Sequence, residues 1–420
     1  MELFNLLSNV DIVTFGNTYN VYLNWIGTFI RFLITGVGSV GIGIILFSLV
    51  LKVIVLPFDV YQRVAMRKQN IKMKENQAKM EKLQKQYANN KDLYNQKVME
   101  MYKESGFSMF SSCLPMILSI IIFIVAINAF NAYAQYSNIE NYNLMVDAYN
   151  EKIVSYAPEY LTAVPGSEND YVINLEVAKA NPEIKAAADK NLADGKAETE
   201  REAYALYFKQ QAQLAVKDTY KGSVSKNTGF LWIKNIWATD ASYKHPVLEY
   251  NEFKTEISQE KFSVDGEKYS HNKISELTNA YKLETYEEVT GMLDKEKSQA
   301  NGWYVLIALS IGTILLQQFI TQRSQKEQQK YSTVDGQGAT QQKTMMIVMT
   351  GMFAIFAFMY SSAFSIYMIT SNVFSMISTV VINKIVDVNE RKKEEKALQE
   401  KHNQRFPGRK REEGKNAKKK

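Results

Sequence analysis

A single lysine, Lys52, interrupts the apolar run GIGIILFSLVLKVIVLPF, which covers residues 41 to 58. A charge within a membrane helix is costly and normally faces a polar cavity or a partner. Lys52 lies about nine residues before the expected end of this helix, or roughly 13 Å at the rise of an α-helix. That is farther than a lysine side chain reaches. We therefore expect Lys52 to be the positive charge of a hydrated groove for polar or anionic groups; the alternative is that it bends to the headgroups.

Uncharged polar side chains in the apolar runs are the candidate neighbours of Lys52. The runs, with the first taken to end at Phe58, contain no Asp or Glu, so we expect hydroxyls, amides and water rather than a buried ion pair. The candidates are Ser48, Ser119, Asn128, Thr313, Gln317, Gln318, Thr370, Ser371 and Asn372.

The chain alternates nearly uncharged stretches with charged blocks, which is typical of a multi-spanning membrane protein. About 20 apolar residues cross a bilayer as a helix. We predict an all-α polytopic membrane protein with five transmembrane helices, a cytoplasmic helical hairpin and an inserted, mainly helical extracytoplasmic domain. The predicted spans are 37–61, 109–135, 302–322, 344–361 and 362–386. The fourth is short, and it pairs with the fifth as a tight hairpin.

The distribution of basic residues predicts the orientation. The hairpin 62–108 has 11 basic and 5 acidic residues, whereas the insert from 136 to 300 has 19 basic and 27 acidic residues. The loop 323–343 and the tail 387–420 are also basic. Because cytoplasmic loops are enriched in Lys and Arg, we expect the N-terminus and the insert outside and the C-terminus in the cytoplasm. The four tryptophans then all lie on the outer side, where indoles favour the headgroup layer.

The hairpin 62–108 turns at residues 88 to 92 and carries methionines at helical spacing. Methionine is common on surfaces that accept varied partners, so these side chains are candidates for capturing a client polypeptide. The simpler alternative is that they pack one arm of the hairpin on the other. The residues are Met66, Met73, Met80, Met99 and Met101.

The regions outside the spans show no catalytic pattern. We expect residues 1–36 to form an extracytoplasmic N-terminus, with an amphipathic interfacial helix over 19 to 34. The domain 136–301 is predicted to be mainly helical, with a possible β-hairpin at Asp265 and Gly266. Cys113 is the sole cysteine, so no internal disulfide forms. The tail reads as disordered and basic, suited to an acidic surface such as lipid or ribosomal RNA.

Several blocks of the sequence follow one another as in YidC-type membrane protein insertases, which this chain resembles over 19–135, 229–240 and 302–386. They include LFSLVLKVIVLPFDVYQ, GFSMFSSCLPMILSIIIFI, GFLWIKNIW and FSIYMITSNVFSMIST. The resemblance implies that Lys52 takes the place of the family's positively charged groove residue, usually arginine. It also implies that Gln317, Gln318 and Tyr367 line the groove, and that Met368 replaces a common tryptophan.

The resemblance implies an insertase and chaperone of the bacterial cytoplasmic membrane rather than an enzyme. It receives nascent membrane proteins in a cytoplasm-open groove and releases their helices into the lipid bilayer. No nucleotide motif is present, and we expect no cofactor and no metal. The Sec translocon and the ribosome are candidate partners, and we expect the protein to act as a monomer.

Two other classes of protein remain open on the residues alone. A solute transporter or channel would use Lys52 for an anionic substrate, although the internal repeats common in transporters are not found here. A membrane anchor would exist only to hold the outer domain. Solute flux without client insertion would favour the transporter.

Overall fold

The computed structural model describes residues 10–104, 109–324 and 337–405. Most of this part of the chain is helical. The helices are α1 (Trp25–Val37), α2 (Val40–Gln86), α3 (Lys91–Glu104), α4 (Met109–Val154), α5 (Leu175–Ala180), α6 (Pro182–Ala193), α7 (Glu200–Thr219), α8 (Ser225–Thr228), α9 (Tyr250–Gln259), α10 (His271–Leu277), α11 (Leu283–Val289), α12 (Asp294–Ser298), α13 (Val305–Ser324), α14 (Gln337–Met359) and α15 (Ser362–Arg405). The strands are β1 (Ile12–Val13), β2 (Asn20–Val21), β3 (Leu161–Ala163), β4 (Asp170–Ile173), β5 (Lys261–Val264) and β6 (Glu267–Ser270).

The chain divides into two compact units. The first, here the domain unit, comprises Met1–Phe47, Ile124–Ala308 and Phe356–Tyr367. The second, here the bundle unit, comprises Ser48–Phe123, Leu309–Ile355 and Met368–Lys420.

Four of the described helices are long and apolar enough to cross a membrane. Their segments are Val40–Ala65, Ile120–Val154, Val305–Arg323 and Ser362–Arg405. The predicted fourth span, 344–361, falls largely in α14, whose described apolar part is the shorter segment Thr350–Met359. The number of five spans therefore stays a prediction.

Two small antiparallel sheets modify the predicted all-α architecture. One has the strand order β1-β4-β3 and the other β2-β5-β6. The predicted hairpin is confirmed, since Val264 pairs with Glu267 around Asp265 and Gly266, which have φ values of 51° and 83°. These left-handed conformations suit a tight hairpin turn.

The N-terminal segment belongs to the same compact unit as the insert. Ile12 in β1 pairs with Tyr171, and Asn20 in β2 pairs with Ser263. Arg201 donates two hydrogen bonds to the carboxylate of Asp11, at 2.5 and 2.6 Å. The two segments therefore lie on the same side of the membrane.

Two predictions need correction, and one predicted span proves to be part of a longer helix. The interfacial helix begins at Trp25 rather than at residue 19, because Asn20 and Val21 are drawn into a sheet and Asn24 caps the helix by accepting from Gly27 N. The second predicted span, 109–135, lies within a longer helix, since α4 continues without a break to Val154. The tail was predicted to be disordered, but helix α15 extends to Arg405. Residues 387 to 405 are rich in the helix formers Glu, Lys and Ala, which accounts for the difference.

Aromatic packing forms the core of the domain unit. The rings of Tyr142, Phe253 and Tyr286 lie 4.5 to 5.2 Å apart, and all three side chains are buried. Large aromatic side chains remove much apolar surface from water, which accounts for a stable domain without a disulfide. Trp237 is buried against Tyr133 and is therefore a core residue rather than a headgroup anchor.

Candidate functional site

Lys52 lies at the middle of its membrane helix. The apolar segment of α2 runs from Val40 to Ala65, which places Lys52 about 18 Å from either end. Its Nζ donates a hydrogen bond to Ser375 Oγ on α15 at 3.1 Å, and its side chain is half-buried. An ammonium has three donors, so Ser375 occupies only part of its capacity for polar partners.

A carboxylate accompanies this lysine on the same helix. Asp59 interacts electrostatically with both Lys52 and Arg63. The expectation that the apolar runs contain no acidic residue was wrong, because the apolar segment of α2 continues beyond Phe58 to Ala65 and includes Asp59. A carboxylate at this depth is tolerated when cations flank it.

Arg63 lies one helical turn after Asp59 on the same face of α2. Its guanidinium donates to Thr379 Oγ1 at 2.5 Å and to Asn383 Oδ1 at 3.2 Å. Both acceptors lie on α15. The planar guanidinium presents several donors in a fixed fork, and here the fork joins two successive turns of the partner helix.

These side chains form a polar seam, which we define as Lys52, Asp59, Arg63, Ser375, Thr379 and Asn383. Residues 52, 59 and 63 share one face of α2, because spacings of seven and four residues return to the same side of a helix. Residues 375, 379 and 383 do the same on α15. The seam carries two cations and one anion, so its net charge of +1 favours acidic or hydrogen-bonding ligands.

The seam continues to Ser371, one turn before Ser375. The hydroxyl of Ser371 is buried and is without a hydrogen-bond partner among the described residues. Buried polar groups are normally paired with protein or water. Ser371 is therefore a place where water or a ligand group along the seam would be stabilised.

Two further polar contacts join helices of the bundle unit. Asn372 donates to Thr313 Oγ1 at 3.2 Å, and Thr350 donates to Gln318 Oε1 at 2.7 Å. Gln318, expected in the groove, thus holds α14 to α13 in this conformation. Gln317 is half-buried on the adjacent position of α13.

The other expected groove residues differ in exposure. Ser48 is fully buried one turn before Lys52, and Met368 is also buried. Thr370 is half-buried. Tyr367 belongs to the domain unit, where its ring is buried beside those of Phe130 and Phe364. Asn128 is exposed, and the side chain of Ser119 lies outside the described residues.

The hairpin methionines fall into two groups. Met80 and Met101 are buried, which favours the packing alternative for these two. Met99 is 41% exposed and is accessible to a partner. The side chains of Met66 and Met73 lie outside the described residues.

The turn of the hairpin lies where it was predicted, because helix α2 ends at Gln86 and α3 begins at Lys91.

A fully buried carboxylate, Asp240, caps the start of α13 in the domain unit. Its Oδ1 accepts from the backbone N–H groups of Trp303 and Tyr304 at 2.7 and 3.2 Å, and its Oδ2 accepts from Leu306 N at 2.6 Å. A carboxylate at a helix N-terminus satisfies orphan donors and complements the helix dipole. Gly302 is required beside it, since a Cβ there would overlap Asp240 Oδ1.

The segment carrying Asp240 also holds the start of α15. Ser362 N and Ser362 Oγ donate to Ala238 O, and Ala363 N donates to Ile236 O. Thr239 Oγ1 donates to Tyr360 O, just after α14. One short segment, 235–240, therefore fixes the ends of three helices on one side of the membrane.

Sequence reasoning missed Asp59, Arg63, Asp240 and the seam residues of α15. One usable signal was present: Ser371, Ser375, Thr379 and Asn383 recur every four residues in an apolar helix. Such spacing places them on one face. The role of Asp240 had no local signal, because the helix that it caps begins 65 residues later.

Comparison with known proteins places most of this chain in one family. A family model described as 60Kd inner membrane protein matches residues 32–154 and 219–391. The gap between the matched ranges, 155–218, contains β3, β4, α5, α6 and all of α7 but its last residue. No solved structure shows a significant match to the chain.

Individual relatives match shorter segments. The chain is similar to the membrane protein insertase YidC of Caldanaerobacter subterraneus subsp. tengcongensis, at 35% identity over 98 residues, which covers 23% of this chain and 46% of the relative. It is 36% identical over 86 residues to the YidC insertase of Fusobacterium nucleatum, covering 20% and 40%. The YidC insertase of Enterococcus faecalis is 38% identical over 98 residues, covering 22% and 34%. The chain thus spans less than half the length of these curated relatives.

Proposed function

This chain belongs to the 60Kd inner membrane protein family, and from that premise we propose that it is a membrane protein insertase of the bacterial cytoplasmic membrane. The insertase name comes from its relatives. An insertase moves polypeptide from water to lipid without making or breaking a covalent bond, so the proposed function needs binding residues rather than catalytic ones.

The polar seam is the observation that carries this proposal. A client helix has a polar flank that must cross hydrocarbon, and each unsatisfied polar group there costs several kcal/mol. Lys52, with Ser375 and the buried hydroxyl of Ser371 nearby on α15, offers hydrogen bonds and a positive charge at mid-membrane depth. We propose that the flank contacts these groups while it is transiently desolvated.

The driving force in this scheme is the partitioning of the client's own apolar helix. Burial of apolar surface contributes about 25 cal/mol per Å², and in this proposal that gain drives the transfer while the groove lowers the opposing cost of the polar flank. The client helix leaves along the lipid-facing side of the bundle. Exposed side chains such as Val53, Ile54 and Phe319 give the spans an apolar outer surface.

The orientation in this proposal has the hairpin, the loop 323–343 and the C-terminus in the cytoplasm. The excess of Lys and Arg in these segments supports it. Met99 is then available to meet a client before insertion. In this proposal the basic C-terminal segment meets the ribosome or anionic lipid, and the Sec translocon is a candidate partner.

The test is insertion of a single-span client by purified protein in proteoliposomes. We expect Lys52→Ala to reduce insertion strongly and Lys52→Arg to retain it. Lys82→Ala is the matched control, because Lys82 is exposed on the same helix beyond the apolar segment.

Equal insertion by wild type and Lys52→Ala would remove the charge from the mechanism. Flux of a small anion through the wild type, with no client insertion, would identify a transporter instead.

A further inference from the structure

An exposed turn in the domain unit carries a leucine in a conformation that leucine disfavours. Phe230 and Ile233 exchange two backbone hydrogen bonds, at 2.9 and 3.0 Å, and close a tight turn with Leu231 and Trp232 at its tip. Leu231 has a φ of 57°, which lies in the left-handed region usually occupied by Gly or Asn. Its side chain is 70% exposed. Neither packing nor backbone preference accounts for a leucine at this position.

The base of this turn contacts the start of a membrane helix. Gly41 is the second residue of α2, and a Cβ there would lie 2.2 Å from the ring of Phe230. The ring of Phe230 therefore rests directly on the backbone of α2. Because Val40 begins the apolar segment of that helix, the turn lies at the level where hydrocarbon begins.

A second membrane helix begins beside the same turn. Lys234 N and Asn235 N both donate to Asn301, the first through its backbone oxygen and the second through Oδ1. Trp303, two residues later, is 67% exposed and directly precedes the start of α13. Two independent helix starts thus flank the turn.

The side chains around the turn have the composition of a membrane interface. Trp232 and Trp303 are partly or largely exposed, and indoles favour the boundary between headgroups and acyl chains. Lys234 is exposed just after the turn and is suited to lipid phosphate. The insert as a whole is acidic, so this local composition differs from that of its surroundings.

We propose that the Leu231–Trp232 turn inserts into the outer leaflet and anchors the domain unit to the bilayer at the headgroup boundary. Leu231 and Trp232 enter the first part of the acyl layer, and Lys234 meets phosphate. The occupant of this exposed apolar surface is therefore lipid rather than a second protein. This inference is independent of the proposed insertase function.

The test measures the depth of position 231 in the full-length protein reconstituted into a bilayer. In a Cys113→Ser background, Leu231→Cys and Leu277→Cys each receive a nitroxide spin label. Leu277 is the matched control, because it is a leucine of the same unit that is 52% exposed at the end of α10. We expect collisions with oxygen to dominate at position 231 and collisions with a water-soluble nickel chelate to dominate at position 277.

A second measurement needs no label. With Trp25, Trp237 and Trp303 each changed to Phe, the emission of Trp232 should be quenched by lipids brominated near the headgroup end of their acyl chains. Leu231→Gly relieves the backbone strain, so this variant should fold, yet its Trp232 should be quenched less. Nickel-dominated collisions at position 231, or Trp232 emission that brominated lipid leaves unchanged in the otherwise folded protein, would overturn the proposal.

Discussion

The ammonium of Lys52 donates to the hydroxyl of Ser375 at 3.1 Å, and this hydrogen bond joins the middle of α2 to α15. The hydrogen bond gives the ammonium of Lys52 a defined position beside α15, whereas an unbonded lysine could also bend to the lipid headgroups. Asp59 and Arg63 follow Lys52 along α2, and their counterparts Thr379 and Asn383 follow Ser375 along α15. Lys52 is therefore the charged residue of the seam that lies farthest from the C-terminal ends of the two helices.

Removing the hydroxyl of Ser375 should weaken the proposed insertase without unfolding it. Hydrogen bonds between membrane helices contribute about 0.6 kcal/mol on average, so we expect Ser375→Ala to reduce the insertion rate roughly threefold. Ser375→Thr keeps the hydroxyl and should be near wild type. Ser378→Ala is the control, since Ser378 is half-buried on the same helix and outside the seam. An effect of Ser375→Ala that persists unchanged in a Lys52→Ala background would show that the two residues act separately.

Arg63 should not be replaceable by lysine. An ammonium keeps the charge near Asp59 but lacks the fork that reaches Thr379 and Asn383 together. We expect Arg63→Lys to lose about 1 kcal/mol of stability and Arg63→Ala to lose more, since hydrogen bonds to charged groups contribute about 1.5–3 kcal/mol. Thermal unfolding in detergent measures both, with Lys79→Ala at an exposed site of α2 as the control. Equal unfolding temperatures for wild type and Arg63→Lys would contradict the role of the fork.

Loss of the Asp240 side chain should destabilise the start of α13 more than the rest of the domain unit. Asp240→Ala leaves Trp303 N and Leu306 N without their acceptor, while Tyr304 N keeps only its bond to the backbone oxygen of residue 240, and we expect a loss of about 1–3 kcal/mol. Hydrogen exchange should accelerate first at the amides of Trp303, Tyr304 and Leu306. Asp218→Ala, at an exposed site near the end of α7, should change none of these amides. Uniform acceleration across the domain unit would instead indicate a general loss of structure.

Much of the architecture could be predicted from local pattern. Blocks of apolar residues located the long membrane helices, and the Asp265–Gly266 pair located the β5–β6 hairpin. Pairings between distant segments could not be predicted in this way. The partners of β1 and β2 lie about 160 and 240 residues away, and short strands have no reliable signal of their own.

In the candidate site, too, some residues could be predicted from local pattern and others could not. Lys52 was found because one charge in an apolar run is conspicuous, whereas its partner Ser375 is an ordinary residue unless its spacing from Ser371 and Thr379 is noticed. Asp59 was overlooked because the apolar run was cut at Phe58. A helix does not end where hydropathy first falls, and α2 continues well past that point.

The contact between α4 and α9 should depend on pH through Glu256. Burial raises the pKa of this carboxyl to about 8, with a further contribution from Glu252 and Glu260, while Asn138 Nδ2 donates to both of its oxygens. In the unfolded chain the group returns to its ordinary pKa of 4.5. The folded state therefore holds a proton that the unfolded state releases between about pH 4.5 and 8.

The stabilisation from neutral Glu256 is fully present below the unfolded pKa and is lost as pH rises toward 8. Its slope is at most about 1.4 kcal/mol per pH unit for one proton. Glu256→Gln keeps an acceptor for Asn138 but cannot ionise, so its unfolding free energy should fall less between pH 5 and 8 than that of wild type. Glu276→Gln, at an exposed site of α10, should follow the wild-type curve. Parallel curves for wild type and Glu256→Gln would mean that Glu256 stays ionised in the folded protein, with the amide of Asn138 outweighing the cost of burial.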